Sequence, residues 1–259
     1  MNFGFVDPWH LYLPRESGHV ISLMGSGGKT SLLVSLARIY GELGQPVVVT
    51  TTTMSEPVPG IEPVELGELE KLGPDRLPEV FFLHGGRAPD GKWTGLPPET
   101  VDELGKSFPD HVVLAEVDGS AKLPVKLHRP GEPVWPGRTS LAIVVMGTAA
   151  VGSQTSEVLH RHGRIKWPPL EELEAWSVWE WDHALTLLLE PGGYLSKVPD
   201  GVPIVLALTG LEDQADSIGL FDFVGRAMAD ARLPLIMFCD LAADPPVIRT
   251  ACRQEGEDR

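Results

Sequence analysis

Cysteine is nearly missing from this chain: Cys239 and Cys252 are the only two in 259 residues. Two thiols are too few for a disulfide framework and show no metal-ligand spacing, so neither a stapled fold nor a cysteine-rich metal site is expected. Positive charge is scarce as well, with 21 lysines and arginines against 36 aspartates and glutamates and a net charge of −15. A surface that grips a nucleic-acid backbone needs clustered cations, so nucleic acid is not an expected partner. A run of 18 apolar residues and a signal peptide are both lacking, which argues against a membrane span and leads to the expectation of a cytoplasmic protein. An anionic ligand would need a locally positive pocket in an acidic molecule.

Such a pocket is written into one stretch. Val20, Ile21, Leu23 and Met24 form an apolar run, Gly25-Ser26-Gly27-Gly28-Lys29-Thr30 interrupts it, and Leu32, Leu33, Leu36, Ala37 and Tyr40 then recur at helical spacing. The pattern is strand, loop, helix. Glycines let backbone N–H groups approach an anion, the helix N-terminus adds unpaired donors and a partial positive charge, and Lys29 adds a full one. The backbone of Gly25, Ser26, Gly27 and Gly28 with Lys29, Thr30 and Ser31 is therefore the expected phosphate site, Thr30 being placed as a Mg²⁺ ligand. The spacing is one of a shortened phosphate loop, because Leu23 stands where the strict pattern has glycine.

Other groups are expected to converge on it. Pro46–Thr51 reads as a buried parallel strand ending in Thr50-Thr51-Thr52-Thr53, and Thr51, Thr52 and Thr53 sit where open parallel sheets bind ligands. His111–Val117 reads as another, and alternation points Glu116 and Asp118 the same way. Asp118 is the expected partner of Lys29 and a Mg²⁺ ligand with Thr30; Glu116 is expected to position water. Residues 119–139 read as a solvated loop with Lys122, Lys126, His128, Arg129 and Arg138, the alternative being a rigid loop that gates the pocket or holds an anion. Lys126 is a candidate anion contact and Arg161 a candidate for stabilising transferring phosphate charge, with a metal on His160 and His162 as the alternative reading.

The remaining pattern is a strand at 79–84 with a hairpin turn at 89–92, helices at 66–72, 97–108, 169–190 and 214–231, strands at 140–147, 203–209 and 233–239, and a short helix from Asp244. Trp176, Trp179 and Trp181, close to Trp167, fall in the long helix, where tryptophans pack as core. Apolar strands alternating with helices predict a three-layer α/β fold with a mostly parallel sheet of P-loop NTPase type. Residues 1–18 read as an N-terminal lead and 19–259 as a single domain.

Several strings together resemble the YqeC-like, selenium-dependent hydroxylase accessory proteins: Gly25 to Thr30, Thr50 to Thr53, Glu116 to Ser120, Leu123-Pro124-Val125-Lys126, the segment from Gly131 to Pro136, Gly152, and His160-Arg161. The resemblance runs over residues 19–210. It implies a nucleotide-dependent accessory protein in cofactor or selenium handling, linked to maturation of a selenium-dependent molybdenum hydroxylase, and leaves the reaction itself open. Together with the phosphate loop, the expected activity is Mg²⁺-dependent binding and slow hydrolysis of ATP or GTP, with a homodimer as the candidate oligomer. A small-molecule kinase or ligase and a non-hydrolysing module delivering a molybdopterin-type cofactor are the alternatives. Thr209-Gly210-Leu211-Glu212-Asp213 stands where a guanine-reading string is expected, and base identity stays open.

Overall fold

The computed structural model describes residues 3–5, 18–72, 77–164, 166–211, 216–243 and 245–253. The lead at 1–18 lies outside them apart from Phe3–Phe5 and Gly18. In chain order the elements are β1 (Phe3–Phe5), β2 (Val20–Ser26), α1 (Lys29–Glu42), β3 (Val47–Thr51), β4 (Glu62–Glu65), α2 (Leu66–Leu72), β5 (Val80–His84), α3 (Pro98–Ser107) and β6 (Val112–Glu116). They continue with β7 (Val125–Lys126), β8 (Thr139–Gly147), α4 (Thr155–Val158), β9 (Leu159–His160), α5 (Trp181–Leu189), β10 (Ile204–Thr209), α6 (Ser217–Ala227), β11 (Leu235–Asp240) and β12 (Val247–Arg253).

Among the described residues these strands form a ten-stranded sheet in the order β1-β12-β11-β10-β8-β2-β6-β3-β5-β4, and β7 pairs with β9 apart from it. From β4 to β11 every pairing is parallel; β12 runs antiparallel to β11, and β1 antiparallel to β12. Alternation along each strand sends apolar side chains to two faces, and each face is covered. Ile21, Leu23, Val47 and Val49 pack with Leu32, Leu33 and Leu36 of α1. Val20, Met24, Val48 and Val113 belong to the opposite core with Val101 and Leu104 of α3, Leu187 of α5 and Phe223 of α6. The fold is three-layer α/β with a mostly parallel sheet, joined at its centre by a P-loop type strand–glycine loop–helix junction. Burying each Leu or Phe against it stabilises the fold by roughly 1.5–3 kcal/mol. The carboxyl ends of β2, β6 and β3, adjacent in the sheet, bring their following loops together.

Four expectations need correction. Only Trp181–Leu189 of the expected 169–190 helix is helical. Val178 instead bridges Gln154, and Trp179 exchanges backbone hydrogen bonds with Gly152 and Ser153. Tertiary pairing thus overrides a helix-favouring composition, and the next helix starts at a capping box between Glu180 and His183. The tryptophans do not form one core cluster: Trp179 is fully buried, whereas Trp176 is 71% exposed. After residue 244 the chain forms strand β12, not a helix, because β11 offers a free edge to the β-branched Val247, Ile248 and Thr250. The turn at 89–92 does lead the chain back antiparallel, through the Arg87–Trp93 bridge and bonds of Thr94 with Gly85 and Gly86, but the returning segment forms no full strand beside β5.

Candidate functional site

The junction after β2 depends on its glycines. Gly25 has φ 103, and a side chain there would run into the Val145 carbonyl; Gly27 has φ 80, with Gly147 Cα 2.5 Å from where its Cβ would stand. Only glycine fits so close to the neighbouring strand. Gly28 then caps α1 in a left-handed conformation with no side-chain cap, and the first turn carries no acid. Leu32 N–H is the first to find an acceptor of its own helix, on Gly28 O at 2.9 Å. The amides of Lys29, Thr30 and Ser31 lack intrahelical partners by geometry, and the helix dipole adds positive potential there. The loop is held from both sides: Ser26 Oγ donates to Leu123 O, and Thr209 Oγ1 donates to Gly27 O.

Lys29 does not reach outward in this structure. Its Nζ donates to Gly25 O at 2.8 Å and lies 3.2 Å from Asp118 Oδ1 and 3.5 Å from Glu116 Oε1. The expected convergence of Glu116 and Asp118 on Lys29 is therefore present. Burial works against the Lys29 charge, but Asp118 and Glu116 outweigh it and raise its pKa.

The two carboxylates differ in depth. Asp118 is 0% exposed. Its Oδ2 accepts from Gly25 N–H at 3.0 Å and from His128 Nε2 at 2.6 Å, and Lys126 Nζ lies 3.2 Å away. Burial opposes its ionisation, yet Lys29, the His128 hydrogen bond and Lys126 hold the carboxyl well below the usual range. Glu116 faces the open side and accepts from Thr30 Oγ1 at 3.1 Å. Burial pushes its pKa up, with Lys29 opposing and Asp118 reinforcing. Asp118, the expected Mg²⁺ ligand with Thr30, lies beneath the loop, where Oδ2 carries its hydrogen bonds and Oδ1 faces only the Lys29 ammonium, and Glu116 is the acid beside Thr30.

Above the loop is a cavity of about 430 Å³, walled by Gly27 to Ser31, Met54 to Pro57, Lys92, Glu116 and Gly119 to Lys122. Thr51, Thr52 and Thr53 are not among its walls. Thr51 Oγ1 donates to Glu116 O at 3.0 Å and Thr52 Oγ1 to Val134 O at 2.8 Å, while Thr53 N–H donates to Thr51 Oγ1 at 3.1 Å. These hydroxyls tie β3 to β6 and the following loop.

The solvated-loop reading of residues 119–139 holds only in part, since Lys122, Arg129 and Arg138 are exposed but the middle of the loop is buried. Lys126 is 0% exposed, its Nζ donating to Gly119 O at 2.7 Å and to Glu132 Oε2 at 3.4 Å, which removes it as a direct anion contact. Burial lowers its pKa against the pull of Asp118 and Glu132. Arg161 is drawn into the same network, with Nη1 2.5 Å and Nη2 2.9 Å from the Glu132 carboxylate and Nη1 donating to Leu127 O at 2.9 Å. Burial opposes ionisation of Glu132, but its bonds to Arg161 and Arg129 push its pKa down to about 2. Arg161 thus braces the loop from outside the cavity. His162 Nε2 bonds Leu173 O, and among the described residues no group of three or more His, Cys, Asp or Glu could hold a metal. Sequence reasoning missed the roles of His128, Glu132 and Tyr194, whose hydroxyl bonds both the N–H and the carbonyl of Lys126 at 3.1 Å. No local spacing announces them.

The model of the family described as "YqeC protein" matches residues 21–163. The chain is 33% identical over 203 residues to "Uncharacterized protein YqeC" of Escherichia coli (strain K12), covering 76% of this chain and 78% of that protein. Among solved structures, FtsY from Mycoplasma mycoides is 12% identical with a TM-score of 0.39, covering 86% of this chain and 62% of that one, too loose a likeness to carry an argument. Among the described residues no helix is long and apolar enough to cross a membrane.

Proposed function

The chain belongs to the YqeC family, and from that premise we propose that it binds a nucleoside triphosphate with Mg²⁺ at the loop Gly25–Thr30 and hydrolyses it slowly as an accessory protein in metallocofactor handling. One observation carries the reading: an uncapped helix N-terminus opens into a cavity where Thr30 Oγ1 lies 3.1 Å from the Glu116 carboxylate. A hydroxyl beside a half-buried acid suits Mg²⁺, which takes few protein ligands when phosphates and water supply the rest. When bound, the ion would neutralise charge on the outer phosphates.

The chain's own residues do the remaining work. Amides of Gly27 to Ser31 receive phosphate oxygens, and Lys29 exchanges Glu116 for the outer phosphates while Asp118 keeps its ammonium in place. Calorimetry with ATP and GTP, with and without Mg²⁺, tests this. Lys29→Ala is expected to weaken binding by roughly a hundredfold or more; an unchanged affinity removes the assignment. The cavity continues past the loop to Met54–Pro57 and Lys92, space that favours phosphoryl transfer to a small acceptor as a second reading. Acceptor-dependent release of nucleoside diphosphate would select it. The client is proposed to be a selenium-dependent molybdenum hydroxylase or its cofactor, on the family resemblance alone.

A further inference from the structure

We propose that Lys122 is a second cation of this site, contacting the terminal phosphoryl group of a bound triphosphate from the loop after β6 while Lys29 acts from the loop after β2. The proposal rests on the nucleotide reading above. Leu123 N–H donates to Ser120 O at 3.1 Å, and the two residues between them, Ala121 and Lys122, have φ 51 and φ 64. Two consecutive left-handed residues make a turn of type I′, which glycine, asparagine and aspartate fill easily and alanine and lysine do not. Strain of this kind persists only where the surroundings impose it.

The surroundings here are the site itself. Lys126 Nζ holds Gly119 O at 2.7 Å just before the turn, and Ser26 Oγ of the glycine loop holds Leu123 O at its end. The turn is thereby fixed to the phosphate loop, and Gly119 to Lys122 form one wall of its cavity. The charges there are unequally matched. Glu116 has Lys29 at 3.5 Å, and Glu56 has Lys92 at 3.9 Å, which also lies 3.6 Å from Asp90. Lys122 has no ion pair among the described residues. A positive charge held on a strained backbone, facing a cavity whose acids are already paired, calls for an anion that enters from outside.

The diagnostic variant is Lys122→Gly, because glycine accepts the left-handed conformation and the turn should keep or gain stability. Calorimetry with Mg²⁺ would compare a non-hydrolysable triphosphate analogue with the diphosphate. Triphosphate affinity should fall roughly tenfold or more, the effect of one charge-assisted hydrogen bond, with diphosphate affinity within about twofold. Lys122→Arg should recover most of the loss. Equal losses for both ligands, or none for either, overturn the role of Lys122. Should wild-type protein bind neither nucleotide, the reading beneath falls and takes this one with it. If Lys29→Ala abolishes binding while Lys122→Gly keeps its triphosphate preference, only the present proposal is lost.

Discussion

Beneath the glycine loop and above it, the molecule uses the same residue types for different ends. Below, Asp118 and Lys126 are fully buried; Asp118 Oδ2 bonds Gly25 and His128, Lys126 Nζ bonds Gly119 and Glu132, and Asp118 Oδ1 has the Lys29 ammonium 3.2 Å away. Above, Glu116 is 14% exposed, Thr30 borders the same cavity, and the helix amides stay uncapped. Two acids only two residues apart on one strand end thus part company by depth. A dry, deeply buried carboxylate ringed by cations fixes its neighbours. A half-filled one beside open space can exchange its partner for a ligand.

The most severe way to break this contrast is Asp118→Ala. Lys29 and Lys126 would both be left buried without that counter-charge, and stranding a buried charge destabilises by roughly 3–5 kcal/mol. Urea unfolding should show it directly. A loss below about 1 kcal/mol would mean the lower region is not a scaffold. Glu116→Gln is the matched change on the other side. It should alter stability by less than about 1 kcal/mol while reducing the Mg²⁺-dependent gain in nucleotide affinity roughly tenfold. If the two variants exchange phenotypes, the assignment of depth to role is wrong.

Acid should reach the lower region first. Burial lowers the His128 pKa against the opposing pull of Asp118, so the folded protein keeps the ring neutral while the unfolded chain takes a proton near pH ~6.5. Stability is then full above that pH and lost as pH falls through it. Asp118, with its folded pKa depressed, contributes stability above its unfolded value near ~3.9 that is lost only at lower pH. His128→Gln removes the first titration but keeps a donor toward Asp118. Between pH 7.5 and 5.5 wild type should lose more stability than this variant, measured by midpoint of chemical unfolding. Burial also lowers the pKa of His84, His111 and His160, which titrate in the same sense in both proteins and leave the difference to His128. Parallel pH profiles would detach His128 from the network.

How much of this was legible in the chain follows from the range of the interactions. The strand–loop–helix junction was readable because its determinants, three glycines, a lysine and a helical apolar stripe, lie within about twenty residues. Glu116 and Asp118 were readable as a pair because strand alternation fixes their direction. Their division of labour was not, since it is set by Lys126 and His128, which lie in a proline-broken stretch that reads as solvated. Charges neutralised by tertiary partners leave no local signature. The same limit explains residues 171–180, where the bridge between Val178 and Gln154 overrode helical composition.

The gentlest test concerns the threonines, which the chain placed near the ligand and the structure placed behind the strand ends. Thr52→Val preserves shape and removes one hydroxyl that donates to Val134 O at 2.8 Å. Losing that bond should destabilise by about 1 kcal/mol, because a partly buried carbonyl is left with fewer partners. Nucleotide affinity should change by less than about twofold, since the hydroxyl borders no part of the cavity and a shift near 1.4 kcal/mol is needed for a tenfold effect. A large affinity loss at unchanged stability would bring Thr52 across from the supporting region to the ligand-reading one, and the boundary between them would have to be redrawn through β3.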